Sequence, residues 1–338
     1  MKIAVLMGGS SDEREVSLSS GVQVSHALRE AGHDVVAIDT GHGVLTTAAE
    51  RQLREGGVRL APPRTEELAD LDEGHTVTLV RDPKLGEVDV FFLALHGGTG
   101  EDGTIQALLD AAGVAYTGSD RLGCALAMDK EVTKRLLRDA GVRTPDWLIG
   151  PQTALEVESA LGLPVIVKAA GGGSSLRLVL AHDRAELEGA IVESEGWGDL
   201  VLFERFHAGR EFTVGVVGRD TYPVGEIIPE HEIFDYECKY QPGLAQEVFP
   251  ADIPEQLSDR LRALALRVHQ ALRLRDFSRV DFIVDAQGDA WCLEANALPG
   301  MTANSLLPRA ALAAGLSFPD LCDTIVRLAS ERGRAHSP

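Results

Sequence analysis

The chain has few cysteines. Cys124, Cys238, Cys292 and Cys322 are scattered through 338 residues, and no two of them stand in CxxC spacing. That spacing excludes a disulfide framework and a cysteine-ligated zinc module, and it suits a reducing, cytoplasmic compartment. Long apolar runs are missing as well: none approaches the ~20 residues of a membrane span. The apolar start, Met1 to Met7, is too short for a signal peptide and runs straight into Gly8-Gly9. Basic charge is scarce, with 32 Lys and Arg against 52 Asp and Glu and a net charge of −20. Nucleic acid and anionic membranes need basic surface and are therefore poor partners, whereas a nucleotide needs only a few local lysines. What remains is ordinary for a globular protein, 44% hydrophobic and 25% charged, and long enough for two or three domains.

Residues 278 to 308 carry the densest chemistry. Two short apolar runs, Val280 to Val284 and Ala290 to Ala295, flank Asp285-Ala286-Gln287-Gly288-Asp289, which predicts a β-hairpin with a Gly-containing loop. Asp281 alternates with Val280 and Phe282, while Glu294 and Asn296 are two apart and share a strand face. Three oxygen side chains gathered by a hairpin suit a hard cation, magnesium above all, which takes one or two carboxylates plus phosphate and water. An ordinary charged strand face would account for them equally well. Arg279, two residues before Asp281, adds a permanent positive charge. Pro299-Gly300-Met301-Thr302 then ends the strand and exposes backbone N–H groups. Metal, guanidinium and amides are the parts that stabilise a transferring phosphoryl group and a tetrahedral oxyanion.

Upstream, strand and helix alternate: a strand at Lys2 to Met7, a helix from about Val16 to Ala31, strands at Asp34 to Ile38 and Val88 to Leu95, and another at Val114 to Gly118. Alternation of this kind implies a parallel sheet with helices on its faces. Polar residues 41 to 75, with Pro62-Pro63, read as a surface excursion. Asp12, Glu13 and Glu15 sit where a helix N-terminus favours acids, so capping explains them without function. Gly98, Gly100 and Gly103 fit GxGxxG after a strand. However, they follow a late strand, and Glu101 and Asp102 would repel a pyrophosphate. Further on, Leu163 to Lys168 is a strand opening into Ala169-Ala170-Gly171-Gly172-Gly173-Ser174-Ser175, a loop whose N–H groups can turn onto phosphate although it is not a Walker A sequence. Leu200 to His207 and Glu211 to Val217 are strands, Phe234 to Tyr240 an aromatic polar loop, and 254 to 273 an amphipathic helix. Phe318 to Ala329 is expected to be a closing helix, followed after Arg332 by a disordered tail.

Arg-x-Asp-Phe, Leu-Glu-x-Asn and Pro-Gly-Met-Thr, as they stand at 279 to 302, resemble the C-terminal signature of the D-alanine–D-alanine ligases of the ATP-grasp superfamily. Gly-Gly-x-Ser-x-Glu-Arg-Glu-Val-Ser, His-Gly-x-x-Gly-Glu-Asp-Gly-x-x-Gln, Asp-Lys-x-x-x-Lys and the glycine–serine loop follow the same family in order, over about residues 2 to 330. The resemblance implies an α/β ATP-grasp fold of three domains. These are an N-terminal parallel-sheet domain at 1–118, a small central α+β domain at 119–206 and a larger C-terminal α+β domain at 207–338. The implied reaction uses ATP to join two D-alanines through an acyl phosphate, for peptidoglycan precursors, with magnesium (or manganese) as cofactor and a homodimer expected.

The resemblance also assigns residues. Glu15 would face the first substrate's amine in a set with Ser174 and Tyr240, and His96 would lie near the first substrate. Lys130, Lys168, Ser175 and Lys239 would meet phosphates. For the lysines of the 130–134 segment, a solvated helical face is an equal account. Glu204 would take the adenine amine, with the backbone near His207 facing the ring and Glu211 on ribose. Asp281, Glu294 and Asn296 would hold the metal, Arg279 and Gly300 the oxyanion, and Ser305 with Leu306 the second carboxylate. Ala169, Gly172 and Arg177 depart from the family's loop. The rivals are a nicotinamide enzyme built on Gly98, an ATP-grasp binding module without catalysis, a ligase taking D-lactate or D-serine second, and another ATP-grasp carboxylate–amine ligase.

Overall fold

The computed structural model describes residues 1–56, 68, 87–173, 177–234, 238, 241 and 243–335. Strand β1 (Lys2–Met7) is buried along nearly its whole length, and helix α1 (Arg14–Glu30) follows it. Strands β2 (Asp34–Asp39), β3 (Gly43–Val44) and β4 (Val90–Leu93) complete a sheet of order β3-β2-β1-β4. β1 pairs parallel with β2 and β4, and β3 turns back antiparallel on β2. The run at 114–118 is not a strand; it contributes one parallel bridge, Phe91 to Tyr116. Helices α2 (Thr47–Gly56), α3 (Gly98–Glu101) and α4 (Thr104–Ala112) finish the described part of this domain.

Two helices come next, α5 (Arg121–Met128) and α6 (Lys130–Asp139), and each begins on an aspartate. Asp120 accepts from Leu122 and Gly123 N–H and Asp129 from Val132 N–H, satisfying donors that a helix start leaves orphaned. The sequence places this segment in the central domain. The structure packs it elsewhere: Cys124, Leu137 and Val142 belong to one buried cluster with Val280, Phe282 and Cys292 of the C-terminal domain.

The central domain proper is a sheet of order β5-β8-β6-β7, made of β5 (Trp147–Ile149), β6 (Val165–Ala169), β7 (Leu178–Ala181) and β8 (Val201–Arg205). Helices α7 (Ala154–Leu161) and α8 (Arg184–Ser194) bury Val157, Leu161 and Leu187 against it. α7 starts with a reciprocal capping box between Thr153 and Glu156.

The C-terminal sheet has order β12-β11-β9-β13-β14, with β10 (Asp220–Thr221) on β9 (Gly209–Val217). Strands β11 (Gly225–Pro229), β12 (Ala245–Val248), β13 (Phe277–Asp285) and β14 (Ala290–Asn296) make up the rest, with helices α9 (Glu255–Ala271), α10 (Leu306–Ala313) and α11 (Phe318–Ala335). The hairpin read from the sequence is β13–β14. It forms one end of the sheet, β14 outermost and β13 pairing with β9 on its other side. Phe282 is fully buried there, and burying such a side chain contributes about 1.5–3 kcal/mol over leaving it exposed.

Helix α11 runs on to Ala335, past the point where disorder was expected. Leu321, Cys322, Ile325 and Val326 join the N-terminal domain's core, and Arg332 donates to Tyr116 O at 2.6 Å and pairs with Asp276. Packing explains the extra turn: an apolar helical face long enough to cover the first sheet has no reason to fray there.

Candidate active site

A cavity of about 510 Å³ lies where all three domains contribute residues, among them Glu13, Lys168, Glu204, Arg279, Asp281 and Glu294. Its N-terminal wall is the loop between β1 and α1. Gly8 N–H donates to Ser17 Oγ at 2.8 Å, Arg14 Nη1 to Gly9 O at 2.9 Å, and Ser11 Oγ to His96 O at 2.5 Å. Arg14 is itself buried against Asp39 at 2.5 Å. This clamp turns Glu13 into the cavity: a Cβ built on Gly97 or Gly173 would lie 2.6 or 2.7 Å from Glu13 Oε2. Glu15, the sequence's choice, does not line the cavity. The reason is helical geometry, because residues two apart at a helix start differ by roughly 200° around its axis. Capping does not hold Glu13 there either, since α1 has no side-chain cap bond.

His96 is a tether. Its Nδ1 donates to Leu298 O at 3.0 Å, and Ser20 Oγ donates to its Nε2 at 3.1 Å while accepting from Met301 N–H at 3.3 Å. Burial lowers its pKa, against a raising effect of Glu13, so the ring is a neutral bridge to the Leu298–Met301 turn. Glu101 accepts from Gly97 N–H at 3.0 Å and Leu298 N–H at 3.3 Å. Burial first, then the neighbouring Glu13, pushes its pKa up to about 7.

On the central side, Lys168 donates to Glu204 Oε1 at 3.0 Å, and Lys134 contacts Glu204 Oε2. Burial alone would raise the Glu204 pKa, but the two ammonium groups outweigh it and hold it low. The carboxylate expected at the adenine amine is thus bound to two lysines. Lys130 Nζ donates to Gly172 O at 2.7 Å and so holds the glycine loop. Arg177, at one of the loop's departures, donates to Trp197 O at 3.0 Å. The His207 ring stacks on Trp291, centroids 4.0 Å apart and planes at 24°, and His207 lines the cavity together with Glu211. Ser174, Ser175, Lys239 and Tyr240 lie outside the described residues.

The C-terminal wall is the hairpin. Arg279 stands opposite Asn296 and Asp281 opposite Glu294. Asp281, 5% exposed, accepts from Thr213 Oγ1 at 2.7 Å, from Arg279 Nη2 at 2.9 Å and from Asn296 Nδ2 at 3.1 Å. Beyond it, Gly300 packs against Ser305: a Cβ there would lie 2.9 Å from Ser305 Oγ. Ser305 is the N-cap of α10 yet makes no side-chain cap bond; its hydroxyl accepts from Thr302 N–H at 3.1 Å. Ser305 and Leu306 therefore stand at a helix N-terminus, which favours a carboxylate.

Residues 2–119 match the family model described as D-ala D-ala ligase N-terminus, and residues 138–327 match the one described as D-ala D-ala ligase C-terminus. The chain belongs to the D-alanine–D-alanine ligase family. It is 41% identical to the D-alanine–D-alanine ligase of Desulforudis audaxviator, over 98% of this chain and 99% of that one. It is 39% identical to that of Syntrophotalea carbinolica, over 98% and 97%. Among solved structures, D-alanine–D-alanine ligase from Bacillus anthracis superposes with a TM-score of 0.78 at 30% identity over the whole of both chains. VanG D-Ala:D-Ser ligase from Enterococcus faecalis superposes at 0.79 and 28%, over 97% of this chain and 99% of that one. The fold is accordingly ATP-grasp.

In this ligase family member the GxGxxG run is structural. A Cβ on Gly100 would lie 2.7 Å from Leu95 Cβ, and Gly103, at φ +99, would put one 2.4 Å from Arg121 O. Gly103→Ala should therefore cost at least about 2 kcal/mol, from left-handed strain and overpacking together. Urea unfolding reads it directly; an unchanged midpoint would show that the turn relaxes freely. Three residues that hold the cavity wall from behind went unassigned from sequence: Arg14, Asp39 and Lys134. Arg14 hides in an ordinary acidic–basic helix start, and Asp39 at the end of β2, 25 residues away. Lys134, for which a solvated helical face was an equal account, is 1% exposed.

Proposed function

We propose that this ligase uses ATP to activate the carboxylate of one D-alanine as an acyl phosphate, which the amine of a second D-alanine attacks, releasing ADP and phosphate. The carrying observation is that the three domains converge on one cavity with Glu13 on one wall, Lys168 on another and the Arg279–Asp281–Glu294 hairpin on the third. Glu13, rather than Glu15, is the carboxylate suited to the first substrate's ammonium. Lys130 and Lys168 flank the glycine loop and would carry the phosphates. Arg279 and the Gly300 N–H would hold the oxyanion of the tetrahedral intermediate. His96, through Leu298, fixes the turn that presents Gly300. The start of α10, at Ser305 and Leu306, would receive the second carboxylate.

The donor set fits magnesium. Among the described residues no three His, Cys, Asp or Glu side chains converge on one point, so a protein-only cage is absent. Two carboxylates and an amide on facing strands suit an ion that completes its shell with phosphate oxygens and water. Asp281, Glu294 and Asn296 would hold it, and when bound it would neutralise charge on the transferring phosphoryl group. Exclusion of water from the cavity would protect the acyl phosphate from hydrolysis. The four cysteines are buried thiols, as a reducing cytoplasm would keep them, and no described helix is long and apolar enough to cross a membrane. A homodimer is part of the same reading.

Phosphate release from ATP with D-alanine, D-serine and D-lactate, offered singly and in pairs, tests the proposal. D-alanine alone should support turnover and yield D-alanyl-D-alanine. Turnover only when D-serine or D-lactate is added would move the second-substrate assignment, and none with any of the three would sink it.

A further inference from the structure

Beneath the cavity floor lies a buried group of three charges that the reaction described above does not fully use. Glu204 on β8 is 3% exposed, Lys168 on β6 is 8% exposed and Lys134 on α6 is 1% exposed. Ile166 stands opposite Glu204 across β6 and β8, so Lys168, two residues on, is the diagonal neighbour of Glu204 on the same face. Lys134 arrives from the helix behind. Its ammonium donates to Thr144 Oγ1 at 2.8 Å and to Pro145 O at 3.1 Å, and contacts Glu204. Two hydrogen bonds and an ion pair surround the ammonium, and the Trp147 ring, 5.4 Å away, closes another side. Lys134 does not line the cavity, whereas Lys168 and Glu204 do.

Two cations against one anion leave a surplus of one positive charge in a buried place. Such a surplus is costly unless something completes it, and burial accordingly brings the Lys134 pKa down to about 8 despite Glu204 beside it. The fixed partners decide where the surplus goes. Lys134 is locked by Thr144 and Pro145 and cannot turn to the cavity; Lys168 stands at the cavity wall.

We infer that Lys134 is a positioning residue for nucleotide binding: it serves as the fixed counter-ion of Glu204, so that Lys168 can give its charge to a phosphate instead of being neutralised within the protein. Without Lys134, Glu204 and Lys168 form a closed, neutral pair, and phosphate must compete with a buried carboxylate for the lysine. The inference rests on the nucleotide reading of this cavity and adds a residue that does not touch the ligand.

The charge count supplies the test. Wild type carries one surplus positive charge, K134M none, and K134M/E204Q one again. ATP affinity, titrated calorimetrically without D-alanine, should fall about tenfold or more in K134M, the scale of a lost charge-assisted hydrogen bond, whereas K134M/E204Q should bind ATP within a few-fold of E204Q alone, the reference that carries any contact Glu204 itself makes with the nucleotide. K134R, which keeps the charge, should stay within a few-fold of wild type. In turnover, K134M should raise KM for ATP and leave KM for D-alanine unchanged. A residue that merely supports packing would weaken both substrates, or lower the unfolding midpoint with ATP affinity intact, and K134M would weaken E204Q as much as it weakens wild type; any of these overturns the inference. If K134M does not fold, K134R and the double variant still decide, since both retain the surplus and should bind ATP, the double variant as E204Q alone does. Wild-type protein that binds ATP but releases no phosphate with D-alanine overturns the ligase reading and leaves the Lys134 titration standing; wild type that binds no ATP overturns both.

Discussion

Glu294→Gln should lower phosphate release from ATP and D-alanine by about 10³-fold or more, with the unfolding midpoint nearly unchanged. The argument starts from the register that sets Glu294 directly across from Asp281 on neighbouring strands. Asp281 already accepts from Thr213, Arg279 and Asn296, so it enters any metal complex as one anion among several donors. Glu294 lines the cavity and is the second of only two carboxylates in the proposed ligand set. A glutamine there keeps shape and size but supplies no charge. Charge stabilisation of a phosphoryl group by a bound ion is worth several kcal/mol, and each 1.36 kcal/mol is a factor of ten in rate. Steady-state rates at saturating magnesium are the measurement, with unfolding followed alongside. Near-wild-type turnover would mean that the hairpin is not the metal site.

The hairpin was legible in the sequence because its information is local. Alternation fixes which side chains share a face, Gly288 marks the turn, and the shared face of Asp281, Arg279, Glu294 and Asn296 follows from period two alone. The glycine loop after Lys168 was legible for the same reason, whereas the helix that starts at Ser305 was not read from the sequence at all. What escaped was set by distant partners. Nothing around Lys134 in sequence announces that Glu204, 70 residues on, will reach it. His96 reads as a loop residue at a strand end until Leu298 and Ser20 take both of its ring nitrogens. The boundary drawn at 119 failed to foresee that α5 and α6 pack on the C-terminal sheet, because an amphipathic helix shows that it has a buried face and not which sheet buries it. Arg332 reads as a tail residue until Asp276 and the Tyr116 carbonyl fix it in the last turn of α11.

The choice between Glu13 and Glu15 separates what a motif says from what a helix does with it. Both glutamates belong to the same run, Asp12-Glu13-Arg14-Glu15, and a match of letters cannot tell which faces the cavity. The structure can, because Arg14 between them is pulled inward to Asp39 and to Gly9 O, and its neighbours must then point to opposite sides. Glu13 goes to the cavity, between Gly97 and Gly173, and Glu15 to the first turn of α1. Glu13→Gln should therefore raise KM for the first D-alanine and cut kcat/KM by about 10²-fold, the loss of a charge-assisted contact of about 1.5–3 kcal/mol together with the misplacement of the bound substrate. Glu15→Gln should stay within about threefold of wild type, as expected for a residue outside the cavity whose charge sits in the first turn of a helix, where it is worth about 0.3–1 kcal/mol. Initial rates over a range of D-alanine concentrations, at saturating ATP, compare the two directly. If Glu15→Gln proves the crippled variant and Glu13→Gln the silent one, the clamp on Arg14 does not orient this loop in the working enzyme.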